Sequence, residues 1–171
     1  SLSYLWAWRG GSEEHPLLLY DYAPSRGGEV PKRLLEGLRG YLQVAGYEGY
    51  NEACEANGLV RAGCFAHARR KFDEAWKAQG KGRKAGKKRS VKVTKAKQGL
   101  DLIRVLYRIE RKVSEQPSDE RYRVRQELAK PQLEKIREWL DESLDRVPPQ
   151  SLTGKALAYL DHQWDRLIRY I

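Results

Sequence analysis

Methionine is absent from this 171-residue chain, phenylalanine and cysteine occur twice each, and histidine three times. Two cysteines, Cys54 and Cys64, cannot supply the four ligands of a structural zinc site, and His15, His67 and His162 are too scattered to complete one. A Cys54–Cys64 disulfide is open on paper, but two buried thiols in a reducing compartment is the preferred reading. No stretch approaches the roughly 20 apolar residues of a membrane-spanning helix. The opening Ser1-Leu2-Ser3-Tyr4-Leu5-Trp6 has neither a basic segment nor a signal-like apolar run, and reads as mid-domain sequence. These shortages point away from membranes, to a soluble intracellular protein or a piece of one.

One region lacks acid altogether. Residues 81–97 hold nine Lys or Arg and no Asp or Glu, whereas residues 1–80 are neutral and residues 98–171 carry +1, so this block supplies nearly all of the net charge of +10. Such a block repels itself and attracts phosphate backbones by releasing their counterions. A solvated linker without a partner is the alternative reading. The rest is not the composition of a disordered chain, since 40% of residues are hydrophobic and there are five Trp and ten Tyr.

The first 65 residues predict strands broken by turns. Tyr4–Arg9 reads as a strand stopped by Gly10-Gly11, and Leu17–Tyr22 as a central buried strand. Pro31 opens a helix with Leu34, Leu35 and Leu38 on one face, ended by Gly40. Tyr41–Val44 and Leu59–Phe65 are further strands, with a short helix capped by Asn51 between them. Beyond His67 only helical periodicity remains, with a break or kink at Pro131 and a cap at Ser151 or Thr153. The last helix keeps its apolar period to Ile171, which predicts a chain that continues past this residue.

Three segments carry a resemblance. Tyr41-Leu42-Gln43-Val44-Ala45-Gly46-Tyr47-Glu48-Gly49-Tyr50-Asn51 is similar to the motif G-Y-L-Q-x-D-G-Y-x-G-Y-N of the IS66 transposases. Gly63-Cys64-Phe65-Ala66-His67-Ala68-Arg69-Arg70-Lys71-Phe72 resembles their G-C-W-A-H-A-R-R-K-F, and residues 149–160 resemble their P-x-S-x-x-G-K-A-x-x-Y. All three occur in the family's order.

The resemblance implies an α/β fold: a partial ribonuclease-H-like mixed sheet of about four strands with helices in residues 1–80. A Lys-rich flexible segment (81–97) and an all-α insertion (98–171) would follow. It further implies a bacterial, cytoplasmic, nucleoid-associated protein that acts on DNA by metal-dependent strand cleavage and transfer, and it allows a homo-oligomer within a transposition complex. Enzymes of this kind hold two Mg²⁺ (or Mn²⁺) ions with an Asp-Asp-Glu triad, because hard cations prefer oxygen ligands and two of them activate the attacking oxygen and stabilise the leaving one. Here the strand carrying the first Asp is expected before Tyr4, Ala45 occupies the second position, and the Glu is expected after Ile171. No catalytic or metal-binding acid is therefore intact, and no cofactor is expected on this chain. Glu48 is a poor substitute, and Asp21 reads as a polar residue at a strand end. Two origins fit Ala45: a natural lesion in a decayed or repurposed element, and an introduced change that silences the enzyme.

Cys64 and His67 form a C-x-x-H pair after the fourth strand. Buried packing is the preferred reading, with a supporting role near a catalytic pocket second. Arg69, Arg70 and Lys71, together with Lys81, Arg83, Lys84, Lys87, Lys88 and Arg89, are the candidate DNA-backbone contacts, because guanidinium and ammonium groups bind phosphate without reading bases. Tyr47 and Tyr50 are read as packing rather than base-stacking residues. Two alternatives stand beside a transposase segment: a DNA-binding or regulatory module that has lost the chemistry, and a purely helical interaction domain.

Overall fold

Tyr4, Trp6 and Trp8 alternate with Leu5, Ala7 and Arg9, and a strand sends alternate side chains to opposite faces. In the computed structural model, which describes residues 3–12, 14–81 (backbone alone at Lys81) and 93–171, this stretch is strand β1 (Tyr4–Gly11). It pairs antiparallel with β2 (Pro16–Ala23), from Tyr4 opposite Ala23 to Gly11 opposite Pro16. Gly11 turns the chain at φ 83°, and a Cβ there would stand 2.2 Å from the His15 carbonyl oxygen, so the hairpin requires glycine.

One face of the hairpin buries Trp6 and Ala23 against Val30 of helix α1 (Glu29–Leu34). Next come β3 (Tyr41–Gln43), a 3₁₀ turn at Glu48–Tyr50, α2 (Asn51–Asn57) and β4 (Val60–Ala62), which pairs with β3. Leu35, Ala53, Cys54 and Leu59 form a second small cluster, flanked by Trp8, Leu42 and Tyr50. Residues Ser1–Arg61 make up one compact unit and Ala62–Ile171 the other.

Three expectations about the first unit change. The four strands form two two-stranded sheets, β1-β2 and β3-β4, not one sheet, because no described strand bridges the pairs. Leu17–Tyr22 is not a central buried strand: Leu18 is 61% and Tyr22 68% exposed, since β2 has a neighbour on one edge only. The first helix stops at Leu34, leaving Leu38 half exposed, because Gly37 takes φ 77° before Gly40 is reached.

The second unit is helical: α3 (Phe65–Lys81), α4 (Lys95–Val113), α5 (Ser118–Val124), α6 (Lys130–Leu144), α7 (Leu152–His162) and α8 (Trp164–Leu167). Thr94 caps α4 through its hydroxyl, which accepts from the Lys97 N–H at 3.4 Å, so helix begins inside the Lys-rich stretch. α3 packs against α4 and α7, and one continuous core joins Ala68 and Phe72 to Leu100, Ile103, Leu133, Ile136, Leu140, Leu157 and Leu160. Gly99 lets the rings close on α4: a Cβ there would lie 2.8 Å from the Phe72 ring and 2.9 Å from that of Trp139.

Pro131 lies in the first turn of α6, directly after a π-helical turn, so its missing N–H falls where the two helical forms join. The predicted break becomes a π-helical turn at Arg125–Ala129, with the Lys130 N–H donating to the Arg125 carbonyl, five residues back. The apolar period that ran to Ile171 does not make one helix. α7 ends at His162, Gln163 forms a turn, and a 3₁₀ turn (Ile168–Tyr170) follows α8. Among the described residues no helix is long and apolar enough to cross a membrane.

Candidate functional site

The loop after β3 carries Ala45, and a buried cation holds its shape. Arg61 of β4 is only 4% exposed. Its Nη2 donates to the carbonyl oxygens of Ala45 (2.8 Å) and Tyr47 (2.7 Å), and its Nη1 to the Asn51 side chain. A guanidinium supplies five donors in a rigid fork, which suits several acceptors converging from one loop. Tyr50 lies beneath Arg61, ring centroid 5.8 Å from its Cζ, and meets Trp6, Trp8 and Tyr47 edge to face. Burial pushes the Tyr50 hydroxyl pKa up, against the pull of Arg26 and Arg61. The Tyr47 hydroxyl donates to the Arg26 carbonyl oxygen, and the Arg26 guanidinium sits 4.5 Å above the Tyr47 ring. Both tyrosines therefore pin the loop by packing.

This loop does not fit a divalent cation. Residue 45 offers a methyl group, and a buried guanidinium is already bonded to the carbonyl oxygens of residues 45 and 47. Glu48 is exposed in the following 3₁₀ turn, and Asp21 pairs with Arg33 at 2.6 Å. Among the described residues no group of three or more His, Cys, Asp or Glu is placed to hold a metal. Arg61 was not anticipated from the sequence, where a lone arginine inside a short apolar strand carries no signal of burial.

In the helical unit, Cys64 precedes α3 and His67 lies in its first turn, both half-buried. His67 Nδ1 is buried with no hydrogen-bond partner among the described residues. Burial lowers the imidazole pKa, and the neighbouring Arg70 and Lys71 lower it further. Cys64 lies near Tyr107, whose hydroxyl pKa is raised by burial first and by Cys64 second. Arg69, Arg70 and Lys71 are all exposed; the Lys71 ammonium stands 4.9 Å over the Tyr159 ring. Of the Lys-rich block, Arg83, Lys84, Lys87, Lys88 and Arg89 lie outside the described residues, as does the Lys81 side chain.

Small residues in the motifs prove to be contact points. Gly63 donates its N–H to the Arg166 carbonyl at 2.7 Å, and a Cβ on it would come 3.1 Å from Leu167. Phe65 meets Tyr170 edge to face at 5.8 Å. Ser151 caps α7, its hydroxyl accepting from the Gly154 N–H at 2.9 Å, and a Cβ on Gly154 would lie 2.2 Å from the Pro148 carbonyl oxygen. At these positions Gly63 and Gly154 allow close backbone approach and Ser151 caps a helix.

Comparison with known proteins gives a consistent result. Three proteins of Sinorhizobium fredii, each described only as uncharacterized, are similar along nearly the whole chain. One, y4hP, is 31% identical over 91% of this chain and 29% of its own length. Another, y4jD, is 28% identical over 96% of the chain and 30% of its own length. The chain therefore spans under a third of the relatives it matches. No solved structure matches it. The model of the Transposase IS66 family matches from residue 1 to residue 171, and the chain belongs to that family.

Proposed function

We propose that this chain is a segment of a transposase catalytic domain, built on a partial ribonuclease-H-like core, whose full-length forms cut and join DNA with the help of Mg²⁺ or Mn²⁺. The segment itself is catalytically silent and contributes contacts to the DNA backbone in a bacterial cytoplasm, beside the nucleoid. One observation carries the silence: at the position where the family motif has an aspartate, the chain has Ala45, and the buried Arg61 guanidinium bonds to that residue's carbonyl. Cation binding there would set like charges together with no carboxylate between them. Family membership over all 171 residues carries the rest.

Supercoiled plasmid incubated with the purified chain and Mg²⁺ or Mn²⁺ should stay intact. Nicking that EDTA abolishes would overturn the silent reading. The Ala45→Asp variant should also be inactive, because one acid does not complete a two-metal cage.

Backbone contact rests on the exposed Arg69, Arg70 and Lys71 and on the nine positive charges of residues 81–97. Each phosphate neutralised contributes about −0.9 to the slope of log affinity against log salt. Replacing the nine Lys and Arg of residues 81–97 by Gln, which keeps the Thr94 cap and the buried Ala96, should weaken duplex binding and flatten that slope; an unchanged slope would remove the block from the interface. Ala45 also favours a second reading, a DNA-binding or regulatory module that kept the family's scaffold and lost its chemistry. The gene decides between them: an aspartate upstream and a D-N-N-x-x-E-type segment downstream support the first, and a gene encoding these residues alone supports the second.

A further inference from the structure

Within the helical unit, α3 and α4 run antiparallel, and three contacts fix their register. The Lys97 ammonium lies 5.6 Å from the Trp76 ring centroid, Gly99 lies against the Phe72 ring, and the Tyr107 hydroxyl lies near Cys64 and Arg69. On α4, Arg104, Tyr107 and Arg111 stand three and four residues apart and so share one face, while Arg69 and Trp76 lie two turns apart on α3. All five are exposed, Trp76 by 43% and Tyr107 by 38%. The outer seam between the helices therefore carries two aromatic rings, about 15 Å apart by the helical rise from Lys97 to Tyr107, with cations around both. Its acids are engaged: Asp101 accepts from Lys97 and pairs with Arg104 at 2.9 Å, and Asp73 pairs with Lys77 at 2.6 Å. Arg69 and Arg111 form no ion pair among the described residues. The helical core takes Phe72, Leu100, Ile103 and Leu106 from these two helices and includes neither exposed ring.

We propose that this seam binds single-stranded DNA, with unpaired bases stacked on Trp76 and Tyr107 and the phosphates between them held by Arg69, Arg104 and Arg111. Rings set among cations suit a single strand, because every unpaired base offers a π-face and every linkage a negative charge. A duplex keeps its base faces stacked inside, so a surface that follows only duplex phosphates has no use for the rings. Charge complementarity selects nucleic acid over a second copy of this chain, which would bring its own net charge of +10. Resting on the reading above that the chain contacts DNA, this site adds capture of an opened strand to contact with the duplex backbone.

Binding of the 171-residue chain to a fluorescein-labelled thymidine oligonucleotide of about 16 nucleotides, and to a duplex of equal length, tests it. Tyr107→Leu and Trp76→Leu should each weaken single-strand binding by about tenfold, the loss of one stacked base, and leave duplex binding nearly unchanged. Tyr107→Phe should bind the strand like the parent, since the ring and not the hydroxyl does the stacking. Arg111→Gln should weaken both ligands and lower the salt slope of each. The oligonucleotide should also quench tryptophan emission in the parent and much less in Trp76→Phe, a readout that keeps a ring in place and does not depend on the Leu variants folding. Unchanged strand affinity in both Leu variants, an equal loss for strand and duplex, or equal quenching in Trp76→Phe would overturn the proposal. So would a DNA-free dimer that Tyr107→Leu dissociates, which would give the face to protein. Failure of the underlying reading looks different: a chain that binds the strand here and no duplex keeps the seam and loses the backbone contacts. One that binds duplex through residues 81–97 and ignores Tyr107→Leu does the reverse.

Discussion

The two units solve the burial problem in opposite ways. In Ala62–Ile171, helices satisfy their own backbones and place Phe72, Ile103, Ile136, Leu140, Leu157 and Leu160 in one continuous aliphatic core. In Ser1–Arg61, two short sheets rely on two small clusters, a set of edge-to-face aromatic rings and one buried arginine, and they leave apolar strand faces in water. A helix needs a partner only for its apolar stripe, whereas a strand needs partners for its edges as well as its faces. Core quality follows from which element carries its own hydrogen bonds.

Removing the centre of the helical core should have the largest effect. Phe72→Ala should destabilise the protein by about 3–5 kcal/mol in urea unfolding, since the ring is fully buried between Ala68, Gly99 and Trp139. A loss near that of an exposed residue would mean that the core collapses to fill the gap.

Arg61→Met tests the weaker unit. It keeps the volume but strands the carbonyls of Ala45 and Tyr47, so a loss of about 1–3 kcal/mol is expected, with faster amide exchange across residues 45–51. Unchanged stability and exchange would show that water satisfies those carbonyls equally well.

Gly99→Ala sharpens the contrast from the other side. In an exposed helix this change stabilises by about 1 kcal/mol. Here the new methyl meets two rigid rings inside 3 Å, and overpacking of about 1–3 kcal/mol should reverse the sign. A stabilised variant would show that α4 can slide.

The smallest effect is a pH dependence from His67. Its pKa is lower folded than unfolded, so the unfolded chain binds the extra proton first as pH falls below about 6.5. Stability should therefore decline on acidification through that window, and His67→Gln should flatten the decline. An equal slope in both proteins would remove His67 as its source.

Much of this was legible from residues alone. The hairpin at Gly10-Gly11, the helices beyond His67 and the Ser151 cap came from local spacing and turn chemistry, which act over a few residues. Less legible was where helices stop. Gly37 ends α1 ahead of the expected Gly40, and α7 breaks at Gln163 although the apolar period runs on. The candidate site divides the same way. Helical pitch predicts that at least one of Arg69, Arg70 and Lys71 points outward, and in the structure all three do, but the Arg61 clamp depends on contacts with residues 10 to 16 positions away.

By itself, the sequence determined the family, through three ordered motifs, and the location of the excess charge, since both are properties of linear order. It also settled the alternation of strand-like and helix-like segments, which is a matter of local period. Only the tertiary structure decided that the strands pair as two separate sheets and that Leu17–Tyr22 lies exposed. It alone gave the motif glycines at 63 and 154 their roles as points of backbone approach. Those outcomes depend on which distant segment comes alongside, and a residue's burial is set by its neighbours in space, not by its neighbours in the chain.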